Sequence, residues 1–202
     1  MPHPTLPYSA QPAACCVVGI LGLGLLSRNL ILAIARQGFP VAGYDSDSGR
    51  SRELQRSAVG LPVTVCDTVQ EFIRTIPPPR AILILVQGGP QVEAIFHDMG
   101  EYLDPGDLII DAVSYHHIST PRRRTFFAGH GVHFLSTGIG ASGHGYEYCC
   151  RALYPELQKI CSRILPLFQG VATTVPGEPC VTYVGRKIEQ QLRRLEGVGD
   201  TP

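Results

Sequence analysis

The residues with the clearest chemistry form a glycine-rich turn near the start of the chain. Its six residues, in the pattern G-x-G-x-x-S, are Gly22, Leu23, Gly24, Leu25, Leu26 and Ser27. In such a turn the first glycine permits a tight bend, the second lets the backbone approach a pyrophosphate, and the last position packs helix against strand. A helix that begins here presents N–H groups and a partial positive charge to phosphates. The turn predicts a dinucleotide site; a tight turn without a ligand is the alternative.

A carboxylate follows this turn at the spacing expected for a ribose ligand. Asp45 comes about twenty residues later, at the end of a predicted second strand, and is followed by Ser46 and Asp47. A carboxylate here accepts hydrogen bonds from the ribose hydroxyls of NAD, whereas the 2′-phosphate of NADP needs a cation. The next arginine is Arg50. The residues favour NAD over NADP; the alternative is that Asp45 only caps the turn after the strand.

Alternating strands and helices are predicted to position these residues. Continuous apolar segments predict buried strands at 15–21, 40–44, 63–66, 81–86, 108–111, 132–135 and 171–175. Helical patterns occupy 25–37, 50–57, 68–76, 90–103, 121–129, 154–168 and 188–195. This alternation predicts an α/β fold of the Rossmann type, with a doubly wound, mostly parallel sheet and helices on both faces in three layers.

The composition indicates one folded domain and excludes several classes of partner. The chain has 202 residues, 44% of them hydrophobic, and a net charge of zero, which does not favour nucleic acid. Its seven cysteines lack a C-x-x-C pair, which argues against a disulfide framework or a zinc site and for a reducing compartment. The adjacent His116 and His117 would point apart on one element, so no metal site is predicted.

The chain is predicted to consist of a central domain with two short extensions. Residues 1–13 are rich in proline and are expected to form a flexible arm, 14–185 the Rossmann-type domain, and 186–202 a polar C-terminal helix or tail. The start of the chain lacks the basic and long apolar regions of a signal peptide, and the apolar run at 13–26 is too short to span a bilayer. A cytoplasmic location without a membrane partner is therefore predicted.

Longer segments of the chain resemble one enzyme family. They are GLGLLSRNLILAIARQGF, AILILVQGGPQVEAIF, GDLIID, LFQGVA and GEPCVTYVG, and the last three occur in the family's order and spacing. Together they resemble the coenzyme-binding domain of decarboxylating 6-phosphogluconate dehydrogenase, from about residue 18 to 185. The resemblance implies a Rossmann fold, an NADP cofactor and an oxidoreductase.

Several cofactor positions implied by this resemblance carry other residues. The family's N-R-T, whose arginine holds the 2′-phosphate, corresponds to the segment that starts at Asp45 and Ser46. Its V-K-A-G loop beside the nicotinamide begins here with Val86, Gln87 and Gly88, and the asparagine of its G-G-N-S corresponds to Ser114. The resemblance implies NADP, but a lost cation and a gained carboxylate both oppose a 2′-phosphate. We therefore expect NAD rather than NADP, or no cofactor.

The substrate and catalytic positions differ further. The family's V-S-G-G loop corresponds to Ile139 followed by Gly140, Ala141 and Ser142, where neighbouring glycines predict a loop with altered contacts. The family continues with a helical domain that carries the catalytic lysine in H-x-x-K-x-x-H-N. Lys187 lies too early to replace it and has no flanking histidine or asparagine. No catalytic residue is predicted, and the chain is interpreted as a degenerate coenzyme domain without the helical domain.

Two hypotheses concern a working cofactor site. In the first, the chain is a free-standing binding module for NAD(H) without 6-phosphogluconate dehydrogenase activity. In the second, it is an oxidoreductase whose substrate half comes from a partner chain or an unrelated pocket. The general base would then be sought among Tyr115, His116 and His117, which replace a substrate-contacting segment of the family.

A third hypothesis is an interaction protein with a vestigial cofactor site, or the product of a truncated gene. The apolar surface that the family's helical domain covers would then bind a second copy of the chain or another partner. The predicted C-terminal helix places Ile188, Leu192 and Leu195 on one face, which could contact a partner helix.

Overall fold

The computed structural model describes residues 16–86, 90–112, 120–142 and 145–150, together with 167, 174–175, 178–179 and 181–183. The predicted arm at 1–13, the tail at 186–202 and the helix at 188–195 lie outside these residues. Of the helix predicted at 154–168, only Leu167 is described, and it is helical and buried.

Six parallel strands form the centre of the fold. They are β1 (Val18–Leu21), β2 (Val41–Tyr44), β3 (Val63–Cys66), β4 (Ala81–Ile84), β5 (Leu108–Asp111) and β6 (His133–Ser142). Their order across the sheet is β3-β2-β1-β4-β5-β6, and each neighbouring pair is parallel. The chain therefore builds outward from β1 in one direction and, after β3, from β4 in the other. This confirms the predicted doubly wound sheet and places its switch point at β1 and β4.

Five helices within residues 16–142 of the described chain cover the two faces of this sheet. They are α1 (Leu25–Arg36), α2 (Ser48–Ser57), α3 (Val69–Thr75), α4 (Pro90–Gly100) and α5 (Thr120–Gly129). Ile20 of β1 belongs to the core beneath α1 and α2, whereas the next residue, Leu21, belongs to the core beneath α3, α4 and α5. Successive strand residues point to opposite faces, so one apolar run fills both cores. The predicted three layers are confirmed. None of the described helices has the length and hydrophobicity needed to cross a bilayer.

Local capping explains where two of the helices begin. Helix α2 begins at Ser48, two residues before the predicted start, because the Asp47 carboxylate accepts a hydrogen bond from Gly49 N at 2.8 Å. The Thr68 hydroxyl accepts from Glu71 N at 3.1 Å, and the Glu71 carboxylate accepts from Asp67 N at 2.9 Å. This reciprocal arrangement resembles a capping box and fixes the start of α3.

The part of the sheet beyond β5 differs from the prediction. Strand β6 extends to Ser142, and its second half pairs antiparallel with β7 (Gly145–Cys150). The loop predicted at Gly140, Ala141 and Ser142 is therefore wrong. The nearby glycines favour a turn locally, but an antiparallel partner strand satisfies the extended backbone of residues 137–142.

Three short strands complete the described part of the chain. They are β8 (Thr174–Val175), β9 (Glu178–Pro179) and β10 (Val181–Tyr183). Strand β10 lies parallel to β7 and extends the sheet to eight strands, while β8 and β9 pair with each other. Of the strand predicted at 171–175, only the last two residues are described, and both lie in β8.

A buried ion cluster lies at the amino ends of β4 and β5, at the opposite end of the strands from the glycine-rich turn. Arg80, just before β4, donates from its backbone N to Asp107 Oδ1 at 2.6 Å and from its guanidinium to Asp107 Oδ2 at 2.8 Å. The same guanidinium bonds the carbonyl oxygens of Ile73 and Ile76 at the end of α3, each at 3.1 Å. Asp107 has no exposed surface, so these donors replace water around its charge.

Candidate functional site

The first glycine of the turn occupies a position that only glycine fits. Gly22 has φ +93°, and a Cβ added to it would lie 2.6 Å from both Leu85 O and Val86 Cγ1. Its backbone N donates to Tyr44 O at 2.8 Å, which ties the turn to the end of β2. A side chain would therefore be strained by the positive φ and would collide with the segment that follows β4.

The second glycine leaves open space at the start of α1. Gly24 is the N-cap residue, no side chain caps the helix, and the first turn holds no acidic residue. A Cβ added at Gly24 would meet nothing within 4 Å. The first hydrogen bond inside the helix runs from Arg28 N to Gly24 O at 2.9 Å, so the N–H groups before Arg28 precede the helical hydrogen-bond ladder. An uncapped helix N-terminus beside open space suits a phosphate group.

The remaining positions of the turn divide between core and surface. Leu23 and Ser27 are buried, so the serine in place of the last glycine is accommodated within the packing between α1 and the sheet. Leu26 is half-buried, and Leu25 is 69% exposed at the mouth of the turn. An exposed leucine beside the uncapped helix start is an apolar surface that a ligand can cover.

Asp45 holds the turn in place through its carboxylate. Its Oδ2 accepts a hydrogen bond from Leu23 N at 2.7 Å, and its Oδ1 accepts one from Asp47 N at 2.8 Å. The residue is only 9% exposed. The bond to Asp47 N is the turn cap that the sequence offered as the alternative to a ribose contact. The bond across 22 residues to Leu23 was not foreseen. A ribose contact by Asp45 stays a prediction.

Arg50 is a charged neighbour whose contact with this acid the sequence did not suggest. Its guanidinium lies 3.3 Å from Asp45 Oδ2 and 3.6 Å from Asp47 Oδ2, and its side chain is 53% exposed. Because α2 begins at Ser48, Arg50 lies in the first turn of that helix and close to the end of β2. Beside it, burial and the negative charge of Asp45 raise the pKa of the Tyr44 hydroxyl. Asp45, Ser46, Asp47 and Arg50 together form a corner at the end of β2, which holds two carboxylates and one guanidinium. Ser46 lies between the two acids in sequence and is exposed.

A second charged group lies at the same edge, beyond β4. The Arg123 guanidinium donates to Asp111 Oδ2 at 2.7 Å and to Glu93 Oε1 at 2.7 and 3.0 Å. Asp111 ends β5, Glu93 lies in the first turn of α4, and Arg123 lies near the start of α5. Arg123 belongs to the run Arg122–Arg124, which by residue type is expected to form a solvated helix face, but it is 6% exposed.

The structure gathers some of the predicted site residues and leaves others outside the described chain. Gly22, Leu23, Gly24, Asp45 and half-buried Val86 converge where β1, β2 and β4 end. Gln87, Gly88, Ser114, Tyr115, His116 and His117 lie outside the described residues. Across the described residues, His, Cys, Asp and Glu side chains form no group of three that could hold a metal ion.

These features define a class of protein. A glycine turn between a buried strand and an uncapped helix, at the switch point of a doubly wound sheet, is the dinucleotide-binding arrangement of Rossmann domains. Residues 17–185 match the family model described as the NAD binding domain of 6-phosphogluconate dehydrogenase. The chain belongs to this family and is an NAD(P)-binding domain resembling the coenzyme domain of that enzyme.

Individual relatives agree with this assignment over the same part of their length. The chain is 30% identical over 169 residues to the NADP(+)-dependent, decarboxylating 6-phosphogluconate dehydrogenase of Bacillus subtilis, covering 83% of this chain and 36% of the relative. It is 32% identical over 178 residues to a chloroplastic enzyme of Arabidopsis thaliana, covering 87% of this chain and 37% of the relative. The Plasmodium falciparum 6-phosphogluconate dehydrogenase structure superposes with a TM-score of 0.75 at 25% identity, over 84% of this chain and 37% of that one. The chain thus spans about a third of these relatives.

Proposed function

We propose that this chain binds NAD(H) in preference to NADP(H), with the pyrophosphate at the start of α1, and has no 6-phosphogluconate dehydrogenase activity by itself. The observation that carries the binding mode is the uncapped helix start at Gly24, where no atom stands within 4 Å of an added Cβ. The required bend at Gly22 directs the chain away from β1 immediately before this open space.

The preference for NAD is supported by the charges at the end of β2. Asp45 is nearly buried and bonded to Leu23 N, so its carboxylate cannot rotate away from an incoming 2′-phosphate without breaking that hydrogen bond. Asp47 adds a second carboxylate, and Arg50 supplies one guanidinium against the two. The net charge of this corner is therefore negative, which opposes the additional negative charge of NADP.

The proposed lack of activity is supported by the hydrogen bonds of the acidic side chains at the carboxyl ends of the strands, where the cofactor is proposed to bind. Oxidation of a hydroxyl needs a base within hydrogen-bond reach of the proton it removes. The two carboxylates beyond β4 in the described part of this edge, Glu93 and Asp111, are both bonded to Arg123. Both carboxylates therefore already serve as hydrogen-bond acceptors of the Arg123 guanidinium. The matched part of this chain also covers only 36% and 37% of the two relatives named above.

The test is calorimetric titration of the purified chain with NAD, NADH, NADP and NADPH. Gly24→Asp places a favoured N-cap residue at the start of α1, so it should leave stability unchanged or slightly higher while its charge opposes the pyrophosphate. Gly24→Ala, which adds only a methyl group, is the matched control. We expect binding in the control, none in Gly24→Asp, and tighter binding of NAD than of NADP.

Four results would contradict parts of the proposal. If the unmodified chain binds none of the four dinucleotides, or if Gly24→Asp binds as well as Gly24→Ala, the pyrophosphate does not bind at the start of α1. If the chain alone reduces NAD or NADP in the presence of 6-phosphogluconate, the proposed lack of activity is wrong. Tighter binding of NADP would remove the proposed preference alone.

A further inference from the structure

The cluster formed by Glu93, Asp111 and Arg123 lies at the edge of the sheet where the dinucleotide is proposed to bind. Its members end β5 or begin α4 and α5, and all three segments meet at the carboxyl ends of the strands. The side chains of Arg123 and Asp111 are 7% and 4% exposed, whereas Glu93 is 43% exposed. The guanidinium also stacks on Phe96, with 4.7 Å to the ring centroid. Arg123 is therefore held on three sides.

The cluster lies on the opposite side of the turn from Asp45. In the strand order β2-β1-β4-β5, Asp45 ends β2 on one side of the turn and Asp111 ends β5 on the other. Neighbouring strands are about 4.8 Å apart, so β5 lies roughly 10 Å from β1 and roughly 14 Å from β2. With the adenosine ribose near Asp45 and the pyrophosphate over β1, the nicotinamide half extends towards β4 and β5.

The three residues also stand at the ends of two connecting segments of this edge. Residues 87–89 join the segment after β4 to α4, whose fourth residue is Glu93. Residues 113–119 join β5, which ends at Asp111, to α5, whose fourth residue is Arg123. The Arg123 guanidinium thus connects three elements. They are β5, which precedes residues 113–119, and the helices α4 and α5, which follow the two segments.

Electrostatic interactions keep Arg123 charged and hydrogen-bonded to Glu93 and Asp111. Burial lowers the pKa of Arg123, but its hydrogen bonds to Glu93 and Asp111 raise that pKa by more, so the guanidinium stays charged. A buried charge left without any partner is strongly destabilised, so the three side chains hold one arrangement. Rigid support of this kind is what a binding site needs from the residues around it.

We propose, on the basis of the dinucleotide binding proposed above, that Arg123 is a positioning residue for the nicotinamide half of the cofactor. It holds α4, α5 and the end of β5 in the relative positions that the nicotinamide ring requires. The adenosine half, which is proposed to contact the ends of β1 and β2, does not depend on it. Arg123 acts through Glu93 and Asp111 and need not touch the cofactor.

The experiment compares NADH with ADP-ribose, which keeps the adenosine and both phosphates but lacks the nicotinamide ring. Arg123→Met removes the charge while keeping an extended apolar side chain. Arg80→Met is the matched control, because Arg80 makes an equally buried carboxylate pair at the opposite edge of the sheet. Glu93→Ala is the milder variant, since it removes only the half-exposed partner and should remain folded.

In Arg123→Met we expect NADH binding to weaken about tenfold, equivalent to about 1.4 kcal/mol, while ADP-ribose binding changes less than about twofold. Glu93→Ala should change NADH binding in the same direction by a smaller factor. Arg80→Met should lower the melting temperature without changing the ratio of the two affinities. The ratio is the readout, because a loss of stability alone would affect both ligands together.

Three results would overturn the inference. Equal weakening of NADH and ADP-ribose in Arg123→Met would mean that Arg123 only stabilises the fold. Unchanged affinities in folded Glu93→Ala and Arg123→Met would mean that the cluster does not support the nicotinamide half. If the unmodified chain binds neither ligand, the proposed function fails first and the role of Arg123 fails with it.

Discussion

Replacing Asp45 by alanine tests whether this acid holds the glycine-rich turn in the protein without cofactor. The change removes the acceptor of Leu23 N, and Leu23 is completely buried. Leaving a buried N–H unsatisfied costs about 1–3 kcal/mol. Loss of the bond to the partly buried Asp47 N adds about 0.5–1.5 kcal/mol. The pair with half-exposed Arg50 adds little, because solvent screens it.

The expected total is a loss of about 1.5–4.5 kcal/mol in the free energy of unfolding. For a chain of this size, that corresponds to a fall of about 3–18 °C in melting temperature. The assays are chemical and thermal denaturation, both followed by circular dichroism without nucleotide. Asp45→Asn is the matched control: its single amide oxygen can accept from Leu23 N but not also from Asp47 N. We expect it to lose only the contribution of the bond to Asp47 N, about 0.5–1.5 kcal/mol.

A melting temperature of Asp45→Ala within roughly 1 °C of the unmodified chain would refute this reasoning. That result is expected if the carboxylate serves only as a ribose ligand, because a ligand contact contributes nothing to the protein without ligand. A large loss in Asp45→Asn, equal to that of the alanine variant, would show that both oxygens are needed at once.

Three further changes test other parts of the fold. Gly22→Ala should destabilise the chain by at least about 2 kcal/mol in urea denaturation, because positive φ and contact with Leu85 O both oppose a Cβ; a stability equal to the unmodified chain would contradict the bend. Asp107→Ala should cost about 3–5 kcal/mol, since it leaves Arg80 without its buried partner; a loss below about 1 kcal/mol in the same assay would contradict it. Burial raises the pKa of the Cys66 thiol from 9.0 to about 11, so the folded state holds this proton more tightly and stability should fall as the pH rises from 9 towards 11. Cys66→Ala should show a shallower fall in a pH series of thermal melts, and an identical slope would count against this cause.

The central fold could be predicted because its signals are local. Apolar runs such as the one ending at Leu21 predict strands buried on both faces, and both cores use the same run. The alternation of strands with helices then leaves few topologies, since crossovers between parallel strands are right-handed. The extension of β6 was missed because its antiparallel partner, β7, adds no signal within the segment that it pairs with.

The candidate site was predictable only in part. The bend at Gly22 and the open helix start at Gly24 follow from local spacing, and the structure has both. From the sequence, Arg50 was noted only as the next arginine after Asp45. Its ion pairs with Asp45 and Asp47 were not predicted, because they depend on the position of α2 relative to the end of β2. Arg123 was interpreted as a solvated residue, since an arginine run gives no sign of buried carboxylates on another helix and strand.

By itself, the sequence determined the parallel sheet, the glycine turn and the acid twenty-odd residues behind it. Each depends on residue type and short-range periodicity, which the printed sequence displays. Only the tertiary structure decided what the charged side chains do: Asp45 bonds a backbone N–H 22 residues away, and Arg123 joins an acid 30 residues before it to another 12 before it. The physical reason is that such bonds depend on strand order and on which helix starts share an edge. Those relations arise when the sheet assembles, and sequence spacing does not encode them directly.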